Sequence, residues 1–202
     1  MKKLIKVLLV VGLLVSVTNA KGVKIFDLKE QYFSGTMIKK GQEGFGQENR
    51  YKLEKVIVTT DTKFNEGSYM HGLFTVDVKE PLANWNVNIK KKNGTDSSGE
   101  MTTIRVTSDS GVSYFISFNA ESQDNKDYIQ INNKNIITKK IQKQKLTVSV
   151  SKKNNMVLFS INGKAFLKKD AKTFGNLVKV EIELNDNRYW DELFALDIYE
   201  IK

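Results

Sequence analysis

Residues 144–166, QKLTVSVSKKNNMVLFSINGKAF, carry the clearest structural signal in the sequence. Two alternating apolar runs are separated by the polar turn KKNN, and an Asn162-Gly163 pair separates the second run from a shorter third one. Asn-Gly suits a two-residue hairpin because such a turn needs positive φ at both central positions. The stretch therefore predicts three strands joined by two tight turns.

The same period of two continues through most of the chain and predicts half-buried strands. Turn-forming clusters such as NEGS, SDSG and ESQDNKD separate roughly a dozen such runs, a layout typical of an all-β sandwich or barrel. The only helical turn that we expect is a short one at 168–174. The predicted inward-facing residues are Phe74, Val76, Val78, Val112, Tyr114, Ile116, Phe118, Leu146, Val148, Val150, Val178, Val180, Ile182, Leu184, Phe194, Leu196 and Ile198.

Residues 1–20 are predicted to be a secretory signal peptide, with three lysines before an apolar run and small residues at Thr18 and Ala20. The alternative is an uncleaved anchor helix. Cleavage would leave residues 21–202 as a single β-sandwich domain, periplasmic or secreted, without any cysteine to form disulfides. No other apolar stretch is long enough to enter a membrane after cleavage.

The net charge of +9 falls to 9 − 3 = +6 without the three leader lysines. Lysines supply the excess and are scattered, apart from runs at 90–92 and 139–145, whereas arginines number only three. Nucleic-acid partners are not expected, because such proteins favour arginine and clustered basic patches. We expect solvated lysines that protect sheet edges, the alternative being weak attraction to acidic polymers or anionic lipid surfaces.

Two segments resemble the concanavalin A-like lectin/glucanase superfamily, which includes laminin-G-like domains. The resemblance implies an antiparallel jelly roll with minimal helix and a lectin-like, carbohydrate-binding role. A galactose-binding-like jelly roll or another β-sandwich is the alternative fold. The matching positions are Val148, Val150, Asn155, Asn162 and Gly163 in the opening stretch, and Tyr69, Gly72, Phe74, Val76, Val78 and Lys79 upstream.

The glucanase branch of this superfamily uses an E-x-D-x-x-E strand motif, because retaining hydrolysis needs two closely spaced carboxylates. That motif is absent where the resemblance would put it, since only Glu100 is acidic there. Glu181 and Glu183 share one face of a predicted strand, about 6–7 Å apart. A solvated strand face is the favoured interpretation of this pair, and an acid/base pair is the alternative.

Metal and nucleophile chemistry have few candidates in the sequence. His71 is the only histidine and there is no cysteine, which excludes multi-histidine and thiolate metal sites. No cofactor is predicted. Calcium is the alternative, because it takes carboxylate, amide and carbonyl oxygens such as those of Asp124, Asn125 and Asp127.

Sugar recognition combines aromatic rings with amide and carboxylate groups. We predict a ligand-binding corner at Asp186, Asn187, Arg188, Tyr189 and Trp190. Trp85, between asparagines in NWNVN, is a further candidate, although its alternation with Val87 and Ile89 also fits core packing.

The sequence as a whole predicts an exported, non-catalytic, lectin-like protein whose partner is a glycan or an envelope protein. The alternatives are a glycan hydrolase or lyase with an unusual carboxylate pair (Glu181, Glu183 or Glu100) and a structural or adhesive envelope protein.

Overall fold

The structure is a computed structural model that describes residues 22–28, 47–65, 69–92, 101–121, 126–132, 134–138, 145–186 and 193–202. The predicted leader, residues 1–20, lies outside these ranges. No helix among the described residues is long and apolar enough to cross a membrane.

All regular elements in the described ranges are β-strands. They are β1 (Val23–Asp27), β2 (Gln47–Lys52), β3 (Val56–Asn65), β4 (Tyr69–Leu82), β5 (Trp85–Lys92), β6 (Met101–Ser108), β7 (Ser113–Glu121), β8 (Lys126–Ile131), β9 (Lys134–Thr138), β10 (Lys145–Lys153), β11 (Met156–Ile161), β12 (Lys164–Asp170), β13 (Leu177–Asp186) and β14 (Leu193–Glu200).

These strands form two antiparallel sheets that pack face to face. One has six strands in the order β1-β14-β5-β10-β11-β12, and the other has eight in the order β2-β3-β4-β13-β6-β7-β8-β9. The chain changes sheets repeatedly, for example from β4 to β5 and from β12 to β13. This two-sheet layout confirms the predicted fold class, an all-β antiparallel sandwich.

The core lies between the sheets and follows the predicted alternation. In the eight-stranded sheet, Val58, Val76, Val180, Val106 and Tyr114 are successive cross-strand partners, and all face inward. Rings join the two sheets: Tyr114 of the eight-stranded sheet meets Phe159 of the other edge to face at 5.7 Å and stacks on Phe174 at 5.1 Å. Burial of such rings stabilises a chain that has no disulfides.

The opening stretch forms the predicted hairpins. Asn162 and Gly163 have φ values of 49° and 76°, as a primed two-residue turn between β11 and β12 requires. The Asn162 side-chain oxygen accepts a hydrogen bond from the Thr147 amide at 2.8 Å, which ties the turn to β10. A Cβ at Gly163 would meet no atom within 4 Å, so positive φ alone is what favours glycine there.

Two details of the sequence interpretation were wrong. Residues 168–174 form no helical turn: β12 continues to Asp170, and a turn at 172–173 leads toward β13. Val178 is only half-buried and Leu177 takes the inward position, because the pairing of β13 with β6 shifts by one residue between Leu177 and Lys179. An extra residue in one strand reverses the face of those before it. The side chains of Phe118, Leu184 and Phe194 lie outside those described.

Candidate functional site

A shallow depression of about 200 Å³ lies on the outer face of the eight-stranded sheet. It is lined by Leu73 from β4, Glu181 and Glu183 from β13, and Thr103 and Arg105 from β6. These three strands are neighbours at the centre of the sheet. The depression therefore rests on hydrogen-bonded strands, which hold their side chains more rigidly than loops do.

Strand register explains why these five residues meet. Glu183 pairs with Leu73 on one side and Thr103 on the other, and Glu181 pairs in the next outward row with Arg105. Directly opposed residues have Cβ atoms about 4.5–5.5 Å apart. Their inward neighbours, such as Ile182 and Ile104, are buried in the core, so the pleat directs the five lining residues outward.

Glu181 and Arg105 are the charged residues of the depression whose pairing the described residues define. Lys179 Nζ lies 3.9 Å from Glu181 Oε1, with side chains 40% and 24% exposed, a geometry that contributes little stability. Arg105 is exposed and, although it stands opposite Glu181, it forms no ion pair with any residue in the described ranges. Its guanidinium keeps donors available for a ligand.

A pair of hydroxyl groups lies at the side of the depression that is nearest to β7. Thr103 and Ser117, only 8% and 5% exposed although they lie on the outer side of the sheet, join their hydroxyls at 3.0 Å. In the next row, Phe115 of β7 is the cross-strand partner of Arg105 and is half-buried. Carboxylates, a guanidinium, hydroxyls and an aromatic ring thus occur within two adjacent rows of one sheet face.

This set of groups suits a polyhydroxylated ligand. Carboxylates accept hydrogen bonds from hydroxyls, whereas a guanidinium and the serine and threonine hydroxyls donate them. Hydrogen bonds with a charged partner are the stronger ones. Apolar contact with Leu73 and Phe115 would complement the C–H surfaces of a sugar ring.

Trp85 has a core position. It is fully buried, and its ring centroid lies 5.7 Å from that of Phe174. Its indole Nε1 has no hydrogen-bond partner among the described residues, and its full burial leaves no ring surface for a ligand. Trp85 therefore packs in the core and cannot stack on a ligand, contrary to its predicted role as a ligand-binding residue. The alternation of Trp85, Val87 and Ile89 directs all three side chains inward.

The predicted corner at 186–190 falls largely outside the described residues. Asn187, Arg188, Tyr189 and Trp190 lie in the interval between β13 and β14, and Asp186 is the last residue of β13, with its side chain outside those described. Its role in binding stays a prediction.

The predicted acidic and calcium-binding residues are divided in the same way. Glu100, Asp124 and Asn125 lie outside the described ranges, and Asp127 belongs to β8, with its side chain not among those described. His71 lies in β4. Within the described ranges, no group of three or more His, Asp or Glu side chains could hold a metal ion.

Sequence reasoning had identified Glu181 and Glu183 but not the residues that surround them. Leu73, Thr103 and Arg105 occupy polar-face positions of their strands, which alternation could have indicated. Their proximity could not be inferred, because β13 inserts between β4 and β6 and so pairs with strands roughly 70–110 residues earlier in the chain.

No protein-family model and no curated protein sequence matches the chain. Among solved structures, the chain is similar to the VIP36 exoplasmic/lumenal domain in its Ca²⁺-bound form, with 9% identity, a TM-score of 0.49, and coverage of 78% of this chain and 83% of that one.

Two alginate lyases of polysaccharide lyase family 7 are also similar. AlgAT5 shows 9% identity and a TM-score of 0.39 over 75% of this chain and 79% of that one. The A1-II' enzyme, as its Y284F variant with a product, shows 10% identity and a TM-score of 0.41, covering 74% and 81%. These likenesses concern the course of the chain alone.

Proposed function

We propose that this protein binds glycans through the outer face of its eight-stranded sheet. The observation that carries the proposal is the depression in which Glu181, Glu183 and Arg105 converge with Leu73 and Thr103. Its groups match sugar hydroxyls in type, and its strands supply them from a rigid surface.

The charge of this face favours an uncharged sugar chain. Among the described charged side chains of β2, β3, β4, β6 and β13, the cations are Arg50, Lys52, Lys79, Arg105 and Lys179, and the anions are Asp77, Glu80, Glu181 and Glu183. The sum is 5 − 4 = +1. A nearly balanced surface exerts little long-range attraction on charged ligands, so recognition would depend on hydrogen bonds and apolar contact.

The proposal includes export, which the leader-like residues 1–20 support. An exported protein would meet cell-envelope or extracellular glycans. Because the chain has no cysteines, its folding does not need an oxidising environment. The proposal also includes an envelope protein as an alternative partner, which would bind to the same exposed face.

A screen of the protein from residue 21 onward on an array of uncharged and charged glycans, with and without calcium, tests the proposal. We expect uncharged oligosaccharides to bind, and the double variant Glu181→Gln/Arg105→Gln to lose that binding. Glu54→Gln/Lys55→Gln, at two exposed positions in the connection between β2 and β3, is the matched control. Absence of any glycan bound by the parent protein, or equal binding by both double variants, would refute the proposal.

Hydrolysis of a bound glycan is a second candidate function, because Glu181 and Glu183 line the same depression. Inverting hydrolysis uses carboxyl groups about 6.5–9.5 Å apart, and residues two apart on one strand are separated by about 6–7 Å. Incubation of each array hit with the protein and analysis for shorter products separates the two functions. Unchanged glycans indicate binding alone.

A further inference from the structure

The edge strand β12 and its flanking turns carry a concentrated positive charge, far from the depression. Lys153, Lys164, Lys168, Lys169 and Lys172 occur within residues 153–172, together with a single acid, Asp170. These twenty residues contribute 5 − 1 = +4 of the chain's formal +9. We call these five lysines the lysine ribbon.

The fold brings the lysine ribbon to one margin of the molecule. β12 is the last strand of the six-stranded sheet and pairs only with β11 among the described strands. Lys164 and Lys168 are exposed, and Lys172 is 75% exposed, in a long, solvent-screened ion pair of 3.8 Å with Asp170. The turn at Asn154 and Asn155 places Lys153 at the end of the hairpin where β12 finishes, since Asn155 O accepts the Ala171 amide at 2.7 Å.

Two lysines of the ribbon are held by aromatic rings. Lys169 Nζ lies 5.3 Å from the centroid of Tyr114, and Lys164 Nζ lies 5.8 Å from that of Phe166. A cation over a ring is restrained without losing its charge. These ammonium groups therefore lose less conformational freedom when they meet an anion than lysines free in solvent do.

Solvated edge lysines whose only task is to prevent strand pairing need no such restraint. The edge does carry two features that oppose the addition of a peptide strand. Lysines themselves disfavour edge pairing, and the register of β12 with β11 shifts at Phe159 and Ser160. The ammonium groups, rather than the backbone, are what this edge offers to a partner. An ammonium is a compact charge that accepts carboxylate, sulfate or phosphate without strict geometry.

A lipid surface fits this edge less well. Membrane-surface elements combine basic residues with apolar side chains that enter the lipid. The exposed large hydrophobic side chain found in the described ranges is Val23, which lies on β1, the opposite margin of the same sheet. Charge without an apolar anchor suits a soluble polymer of regularly spaced anions.

We propose that the lysine ribbon is a binding site for an anionic polysaccharide, separate from the glycan site of the eight-stranded sheet. The two sites differ in the ligand that they select, because one is nearly neutral and the other carries +4. The ribbon would hold the protein on an acidic polymer while the sheet face remains open. The inference does not depend on the proposed function.

The test uses polygalacturonate and dextran sulfate as carboxylated and sulfated polymers, uncharged dextran as the negative control, and vesicles with anionic lipid. Binding is measured by biolayer interferometry at low and high salt. Lys164→Gln/Lys168→Gln/Lys172→Gln is compared with Lys52→Gln/Lys55→Gln/Lys79→Gln, which removes the same charge from three exposed lysines near β3. Circular dichroism and thermal unfolding check that both variants fold.

We expect the parent protein to bind both acidic polymers in a salt-sensitive manner, and the ribbon variant to bind them at least about tenfold more weakly, since three charge contacts are lost. The control variant should change by less than about threefold. Equal losses in both variants would show attraction by net charge and overturn the proposal. So would the absence of polymer binding, or tighter binding to vesicles than to polymers. The Glu181→Gln/Arg105→Gln variant should bind the acidic polymers like the parent, which distinguishes this proposal from the preceding one.

Discussion

The outer faces of the two sheets are built from the same alternation but carry different chemistry. On the six-stranded sheet, the central outward rows contain mainly asparagine and serine, for example Asn88, Ser149 and Ser160 in one row. On the eight-stranded sheet, the corresponding central rows contain Glu181, Glu183 and Arg105.

Several polar groups of the six-stranded face pair with one another, although Asn86 Oδ1 has no hydrogen-bond partner among the described residues. Ser149 donates a hydrogen bond to Asn88 across the strands, and Lys24 Nζ lies 3.0 Å from Asp197 Oδ1.

On the other face, the ion pair of Glu181 with Lys179 is long and partly solvated, and Glu181 lines a depression. The contrast indicates that burial fixes which positions face outward, whereas the choice of residue at those positions distinguishes a structural face from a binding face.

The largest expected effect is on glycan binding. Arg105→Ala should weaken binding of an uncharged glycan by about tenfold to a hundredfold, because hydrogen bonds to charged groups are worth about 1.5–3 kcal/mol. Asn88→Ala, on the other face, should change the affinity by less than twofold. Isothermal titration calorimetry measures both. A comparable loss from Asn88→Ala would break the distinction between the faces.

The second effect is on stability, and here a substitution on the six-stranded face should cost more than one on the eight-stranded face. Asn88→Ala removes the acceptor of the Ser149 hydroxyl and should lower the free energy of unfolding by about 1 kcal/mol. Glu181→Gln should change it by less than about 0.5 kcal/mol, because the Lys179 pair is long and partly solvated. Urea unfolding monitored by tryptophan fluorescence gives both values. A larger cost for Glu181→Gln would assign that residue a structural role.

A smaller effect concerns the ion pair at the margin of the six-stranded face. The hydrogen bond with Asp197 raises the pKa of Lys24, against the lowering effect of partial burial. Because the folded protein holds this proton more tightly, the stabilisation is complete below the ordinary lysine pKa and is lost as pH rises through the raised value. Lys24→Gln should cost about 0.5 kcal/mol or less at pH 7, since the lysine is 41% exposed. The cost should shrink in 1 M salt, and a salt-independent cost would contradict an ionic origin.

The smallest effect is a pH dependence of stability that appears only at alkaline pH. It concerns Tyr114, in the core between the two sheets. Burial, and secondarily Asp170, raise the pKa of Tyr114 above its ordinary value. As pH rises, Tyr114 therefore loses its proton in the unfolded chain before it does so in the folded protein. The contribution of Tyr114 to stability declines as pH rises from about 10 toward the folded-state pKa. Tyr114→Phe should lose less stability than the parent between pH 8 and pH 10.5 in urea unfolding. Parallel curves would show that Tyr114 does not contribute.

The sequence was sufficient for the architecture because alternation is a local property. Val76 and Val180 were assigned to the core from their own strands, and the Asn162-Gly163 turn was assigned from two residues. The assignment failed at Val178, where an irregular pairing with β6 changes the face. Irregular pairing depends on the partner strand, which alternation does not reveal.

The site was only half predictable for the same reason. Glu181 and Glu183 were recognised as sharing a face because they are two residues apart. Arg105 and Leu73 join them only through the order of strands in the sheet, a non-local property. Trp85 illustrates the converse: its asparagine neighbours suggested a surface, but its own alternation placed it in the core.

Methyl NMR with labelled leucines compares the two faces most directly. Leu73 is half-buried beside the depression, and Leu158 is half-buried on the outer face of the six-stranded sheet, so they are matched reporters. On titration with an uncharged glycan that binds, we expect the methyl resonances of Leu73 to shift and those of Leu158 to stay in place. Shifts at Leu158 with none at Leu73 would contradict the assignment of the glycan site to the eight-stranded sheet.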